Sequence, residues 1–444
     1  MKGSVVKAVR VGLLAACALF APLAHAVLQI EVTQSAQGAS PIAIVPFQWN
    51  VAVPPPEQMD QIISADLKVS GLFAPIDRRD FVSLPNEGAQ VQFQDWRMLG
   101  ATSLVVGSVR ALGAVLEVRY ELFDVPKGQR LRGREFRIPL NSLRALAHQI
   151  SDEIYEQLTG ERGAFRTKIA YVILKRDMRK KATYELQMSD YDGYNPQRLF
   201  TSPESIFSIS WSPNGQKIAY ASMENAPKVP VTVYVQDVYT AKRERLLDSP
   251  VPMSAPSWSP DGSRLAVKMT KGERSEIYVV SLAGRTWQRV TSAAAGTFHT
   301  EPTWSPDGRT LVYTAGLAGA SAHLYRADLE SGQSQRVTFE GKQNLEPSFS
   351  PDGKQLGMVH QDKSGYHIAV LDNLSGSLRV LTPALTGLES PSFAPNGRMI
   401  LFKEEGGARN MLSAISSDGR VKQRLTLQED GDVREPSWGP FLSQ

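Results

Sequence analysis

The sequence predicts an α/β N-terminal domain followed by an all-β six-bladed propeller. Three observations carry that prediction. An aromatic-led turn motif recurs six times in the second half. The first half lacks the repeat and instead carries two amphipathic helical patterns. The chain then ends six residues after the last motif aromatic, inside an unfinished repeat.

The motif copies are Trp211-Ser212-Pro213-Asn214-Gly215, Trp258-Ser259-Pro260-Asp261-Gly262, Trp304-Ser305-Pro306-Asp307-Gly308, Phe349-Ser350-Pro351-Asp352-Gly353, Phe393-Ala394-Pro395-Asn396-Gly397 and Trp438-Gly439-Pro440, spaced by 47, 46, 45, 44 and 45 residues. Proline presets φ at the first turn position, Asp or Asn caps the turn locally, and glycine takes positive φ. The aromatic supplies a wedge between neighbouring repeats. Turn formation therefore accounts for every residue of the motif, and its aspartates are not candidates for catalysis.

An apolar strand follows each complete motif: 217–222, 264–269, 310–315, 355–360 and 399–403. A second strand comes next (231–238, 276–282, 323–329, 366–372 and 410–415), then a short element around Arg245, Arg289, Arg336, Arg379 or Arg424. Four short strands per period is the pattern of a propeller blade. The repeat begun at Trp438 lacks three strands, and residues 168–174, 183–189 and 197–199 supply them. The two ends of the ring are thus expected to meet in one sheet, which protects edges that would otherwise stay unpaired.

Residues 41–165 read as the α/β domain. A strand is expected over 42–47 and Pro54-Pro55-Pro56 as a rigid break. A helix follows with Met59, Ile62, Ile63 and Leu67 on one face, ending at Gly71. Strands are expected at 103–109, 116–125 and 130–138. A second helix, capped by Asn141, places Leu143, Leu146, Ala147, Ile150, Ile154 and Leu158 on one stripe and stops at Gly160. Residues 27–40 read as a flexible arm. The propeller is assigned to 166–444.

Residues 1–26 read as a signal peptide. Lys2, Lys7 and Arg10 precede an apolar run from Val11 to Leu23, and Ala24-His25-Ala26 supplies the small-x-small cleavage pattern. The competing reading takes Leu14-Ala15-Ala16-Cys17 as a lipoprotein box, but Arg10 leaves a short apolar stretch before it. Cleavage after Ala26 would remove Cys17, the one cysteine, so the mature chain would carry no thiol into an oxidising compartment. It would also leave 46 basic against 45 acidic residues, which gives no basic field for nucleic acid. After the leader, no apolar stretch is long enough for a membrane span.

A secretory signal, an arm leading to Ile44-Val45-Pro46-Phe47, an α/β domain and six blades closed by the chain's end together resemble the TolB family, periplasmic components of the Tol-Pal system of Gram-negative bacteria. The resemblance covers essentially the whole mature chain. It implies a non-enzymatic scaffold without cofactor or metal. Such a scaffold binds the lipoprotein Pal at one mouth of the propeller and TolA through the N-terminal arm. It serves outer-membrane integrity and envelope constriction at cell division, and bacteriocins exploit the same mouth.

Loops leading into the innermost strands ring one mouth of the channel. Glu301, Glu346 and Glu435 lie three residues before their motif aromatics, and Glu389 lies four before its own. These carboxylates are candidates to attract basic groups of a partner or a cation. The alternative is that they are solvated or bonded to neighbouring turns. By resemblance, Ala255, Thr300 and Glu301 match positions that contact Pal, and His299 beside them is added as a candidate. In the arm, Leu28, Ile30 and Val32 alternate with Gln29 and Glu31, a pattern suited to strand addition on a partner's sheet edge. The alternative is that the arm docks on its own protein.

An enzymatic reading stays open beside this one: a lactonase- or peptidase-like propeller with its site in the channel mouth. The G-x-S-x-G elbow of a propeller-bearing peptidase is absent from the sequence, as are H-E-x-x-H, the P-loop and G-x-G-x-x-G. A subunit of an outer-membrane assembly machine is a third reading.

Overall fold

The computed structural model describes residues 30–34, 38–51, 58–179, 181–228, 230–317, 319–407, 409–425, 427 and 430–442. The expected signal segment 1–26, Leu28 and Pro54-Pro55-Pro56 lie outside the described residues.

The N-terminal domain is one six-stranded sheet with helices against it. Ser40–Ile44 runs parallel to Phe73–Pro75 on one side and to Ser103–Leu112 on the other, and Gln48–Asn50 also pairs with the latter. Ser103–Leu112, Val115–Asp124 and Gln129–Pro139 form an antiparallel meander. The first helix, α1, spans Met59–Val69 and buries the expected Met59, Ile62, Ile63 and Leu67. The short α2, Phe93–Met98, was not foreseen; its six residues show too little of a helical period. The third, α3, spans Leu143–Thr159 and ends, as expected, on left-handed Gly160 with φ +77°. Its start differs from expectation. Asn141 is not the cap, because Leu140–Ser142 forms a 3₁₀ turn that feeds straight into the helix, with the Leu143 N–H donating to the Leu140 carbonyl.

The second domain is a β-propeller. The inner strands Ile206–Trp211, Met253–Trp258, Thr297–Trp304, Gln343–Phe349 and Glu389–Phe393 each end on a motif aromatic and pair antiparallel with the strand that follows the turn. The last inner strand, Asp432–Trp438, pairs instead with Lys168–Arg176, in a sheet completed by Ala182–Asp190 and Gln197–Ser202. The chain's end therefore closes the ring with strands laid down more than two hundred residues earlier.

The motif behaves as a turn. In the Trp258 copy, Ser259 Oγ donates to Asp261 Oδ1 at 2.5 Å, the Arg264 and Ser263 amides donate to Ser259 Oγ and Asp261 Oδ1, and Gly262 holds φ +71°. The Ser259 and Ser263 bonds lower the Asp261 carboxyl to about 2. Two wedges reach back to the preceding repeat: Trp304 Nε1 donates to the Ser257 carbonyl at 3.0 Å, and Trp211 Nε1 donates to that of Ser437 at 3.2 Å.

The N-terminal domain packs on the motif-turn side of the ring. One apolar cluster runs from Ile42, Ile63 and Ile150 through Phe165 and Tyr191 to Leu401, Leu412 and Trp438, so the core continues across the domain boundary. Trp438 stacks on Tyr191 with centroids 6.4 Å apart. Gly71, just beyond α1, has φ +70°, and a Cβ there would stand 2.1 Å from Val421 Cγ2; any larger residue would wedge the domains apart.

The expected flexibility of the arm does not hold for Ile30–Gln34. This segment is a strand, paired antiparallel with Lys422–Leu425, the outer edge of a propeller sheet. Its backbone satisfies a row of edge donors and acceptors that would otherwise be exposed.

Candidate functional site

The inner strands enclose a cavity of about 470 Å³ along the ring axis. Its walls are a defect repeated in every inner strand. Three residues before each motif aromatic the backbone turns left-handed: Ser208 (φ +56°), Ala255 (+49°), Glu301 (+53°), Glu346 (+52°), Ser390 (+53°) and Glu435 (+53°). At each of these points the pairing register slips, the signature of a β-bulge. None is glycine, and a left-handed L-residue costs roughly 1–2 kcal/mol. The next position is proline in five copies and Ile209 in the sixth; proline has no N–H to leave unpaired where the ladder is broken. The residues just before the aromatics, Ser210, Ser257, Thr303, Ser348, Ser392 and Ser437, add hydroxyls to the lining.

Three of the bulge residues carry carboxylates, and each reaches to the next repeat. Glu301 Oε2 accepts the Glu346 N–H at 2.9 Å and the Thr314 hydroxyl at 2.7 Å. Glu346 accepts the Ser390 N–H, and Glu435 Oε2 accepts the Ser208 N–H at 2.9 Å. The acids thus clip bulge to bulge from Glu301 through Glu346 to Ser390, and from Glu435 to Ser208. The clips sit where the bulge amides have lost their ladder partners, so carboxylate and strain offset each other.

These carboxylates face the channel and one another, with few cations near. Burial raises the Glu346 carboxyl well above the usual range, and the charges of Glu301, Glu435 and Glu389 push the same way. Burial likewise raises Glu301. Glu435 is lifted to about 7, again mainly by burial. Burial therefore favours the protonated forms of these carboxyls, and a basic group entering the channel would favour the charged forms.

The other expected site residues fall in different places. Glu389 is one residue before its bulge, as its spacing implied; it pairs with buried Lys403 at 3.1 Å, and Ser390 takes the equivalent ring position. Ala255 lines the channel at its own bulge. Thr300 sits opposite Thr314 on the neighbouring strand, half-buried beside Glu301. His299 turns to its own repeat: Nδ1 lies 2.8 Å from Thr291 Oγ1, the ring packs on Tyr313, and burial lowers its pKa. Of the arm residues, Ile30, Glu31 and Val32 lie opposite Leu425, Arg424 and Gln423, far from the mouth.

The bulges were missed from sequence, although a signal exists. Proline recurs two residues before the aromatic in five of six copies, inside what otherwise reads as a strand.

The chain matches the family described as the TolB amino-terminal domain over residues 28–131, and the TolB beta propeller domain over residues 155–442. It is 45% identical over 420 residues to the Tol-Pal system protein TolB of Nitrosococcus oceani, covering 94% of this chain and 95% of that one. It is 39% identical over 417 residues to the protein of the same name from Xanthomonas oryzae pv. oryzae, covering 93% of each. The crystal structure of TolB from Acinetobacter baumannii superposes with a TM-score of 0.83 at 35% identity, over 94% of this chain and all of that one.

Proposed function

The chain belongs to the TolB family of the Tol-Pal system, and from that premise we propose that it is a non-enzymatic periplasmic scaffold binding Pal at the channel mouth and TolA through the N-terminal arm. The observation that carries the proposal is the set of buried carboxyls of Glu301, Glu346 and Glu435 lining the channel, whose charged forms burial disfavours. A basic segment of a partner can neutralise that set, with Ala255, His299, Thr300 and Glu389 forming the rim around it. The arm, held by backbone bonds on the Lys422–Leu425 edge, can exchange that edge for a partner's. In this reading the propeller counts six blades, a number supported by six bulges at the motif spacing. The domains fall at 1–26 (signal), 27–40 (arm), 41–165 and 166–444, and the system's work is outer-membrane integrity and envelope constriction at division.

The test is calorimetric titration of the protein with the periplasmic domain of Pal from the same organism. Saturable binding is expected. Thr300→Arg, which sets a cation and a long side chain at the rim beside Glu301, is expected to weaken it at least tenfold. A chain beginning at residue 39 is expected to bind with altered affinity, because linkage makes any coupling between arm and mouth reciprocal. No binding by the folded wild-type protein would overturn the proposal and move the search to small ligands of the channel.

A further inference from the structure

The junction between the domains holds a second cluster of buried ionisable groups that the mouth does not use. Asp66, on α1, accepts from two partners: His148 Nδ1, on α3, at 2.8 Å, and the Tyr191 hydroxyl, at the end of the propeller strand Ala182–Asp190, at 2.6 Å. Asp66 and His148 are both at most 2% exposed. His148 Nε2 has no hydrogen-bond partner among the described residues and stands 3.8 Å from Asp192 Oδ2, on the propeller side. The other charges facing this imidazole complete the cluster. Arg144, on α3 with its guanidinium over Tyr194, pairs with Asp192 and Asp190. Lys168 pairs with Asp190. Asp152, also on α3, accepts the Phe165 amide of the segment joining the domains at 2.8 Å.

The ligand atoms of His148, Asp190 and Asp192 lie within 4.8 Å of one another, a spacing a metal could use. The cluster is not laid out for one. Arg144 and Lys168 already occupy the two aspartates, and Asp66 holds Nδ1, so the protein's own cations fill the place.

We propose that this cluster is a proton-operated latch between the domains, with the His148 imidazolium as the charge that both Asp66 of the N-terminal domain and Asp192 of the propeller grip. A cation between two carboxylates from different domains holds them together; without its proton, the same carboxylates face each other across a neutral ring. Burial opposes the charge on His148, but the charge and hydrogen bond of Asp66, helped by Asp192, outweigh it and raise the pKa to about 9. Because this folded-state value lies above the unfolded 6.5, the contribution is complete below about 6.5 and is lost as pH rises through 9. The latch is therefore closed at neutral pH and opens in alkali. Opening also reaches the arm. Ile30–Gln34 is paired to the propeller whereas Ser40–Ile44 belongs to the N-terminal sheet, so the two strands lie on opposite sides of the joint.

Hydrogen exchange of the purified protein at pH 7 and pH 10, corrected for the intrinsic change in rate, tests the latch. Amides of α1 and of residues 189–194 are expected to lose at least tenfold more protection than those of Arg264–Lys271, a propeller strand remote from the junction. In His148→Gln that pH-dependent difference is expected to vanish. Parallel loss at both places in the wild type, or the same profile in the variant, overturns the proposal. Should the variant fail to fold, the His148 ring resonances of the wild-type protein decide instead. Titration between pH 8 and 10 supports the latch, and a ring neutral at pH 7 sinks it.

Discussion

The mouth and the domain junction are both places where this protein buries acids, and it treats them in opposite ways. At the junction Asp66, Asp190 and Asp192 are met by His148, Lys168 and Arg144, and the cluster is closed and self-neutralised. At the mouth Glu301, Glu346 and Glu435 are met mainly by backbone amides and by one another, with Lys403 held on Glu389. A buried charge with a partner is a fastening, whereas one without is an unmet demand that a ligand can satisfy. The difference separates a structural joint from a binding surface, although composition alone would call both acidic clusters.

One element belongs to both regions, and removing it is expected to have the largest effect. The strand Asp432–Trp438 carries Glu435 at the mouth and Trp438 at the junction, where Trp438 stacks on Tyr191 and donates to Thr167 Oγ1 at 2.9 Å. It also closes the ring against Lys168–Arg176. Deleting residues 432–444 is expected to abolish cooperative unfolding of the propeller rather than trim it. Loss of a sigmoidal urea transition, with retained but weakened β-type circular dichroism, is the expected result. A transition shifted by less than about 2 kcal/mol would show that ring closure is dispensable.

How much of this was legible beforehand follows from what each feature depends on. The repeat, the closing strand and both long helices depend on local patterns: aromatic-turn spacing, period-two strands, apolar stripes. All of these were read from sequence. Glu389 was recognised as out of register by counting one residue. The flexible-arm reading gave way at Ile30–Gln34, because polarity around Thr33–Ser40 suggested solvent whereas the Lys422–Leu425 edge, distant in sequence, offered a ladder. The junction cluster was invisible for the same reason. Asp66, His148 and Asp192 are separated by 82 and 44 residues and follow no motif. His299 stood out because it neighbours a family position, yet His148 is the histidine set between Asp66 of one domain and Asp192 of the other.

The next expected effect is at the joint. Asp66→Asn keeps the shape of the acceptor for Tyr191 but removes the charge that His148 answers. Leaving one member of a buried ion pair without its partner costs about 3 kcal/mol or more. Urea unfolding at pH 7 is expected to show a loss of that order. The loss should shrink toward pH 10, where the wild-type imidazole has released its proton and the two proteins differ less. A constant difference across that range would mean that the Asp66 charge is not what His148 feels.

The mirror substitution at the mouth is expected to act more weakly and with the opposite sign. Glu346→Gln retains an oxygen for the Ser390 N–H while removing a carboxylate that burial and Glu301 both disfavour. Since the folded-state pKa of Glu346 is raised above the unfolded value, its favourable contribution is present below about 4.5 and lost as pH rises through the folded value. The wild-type protein thus loses stability on this account toward neutral pH, and the variant does not. Glu346→Gln should therefore be more stable than wild type by about 1 kcal/mol at pH 8.5 and no more stable at pH 4.5, as read from urea midpoints at the two values. The same variant should bind a basic partner less tightly, because it removes part of the charge such a partner would neutralise. Stabilisation without loss of affinity would place the recognition elsewhere on the rim. Destabilisation at pH 8.5 would mean that the clip to Ser390 needs a full charge, and the mouth would then be built like the joint.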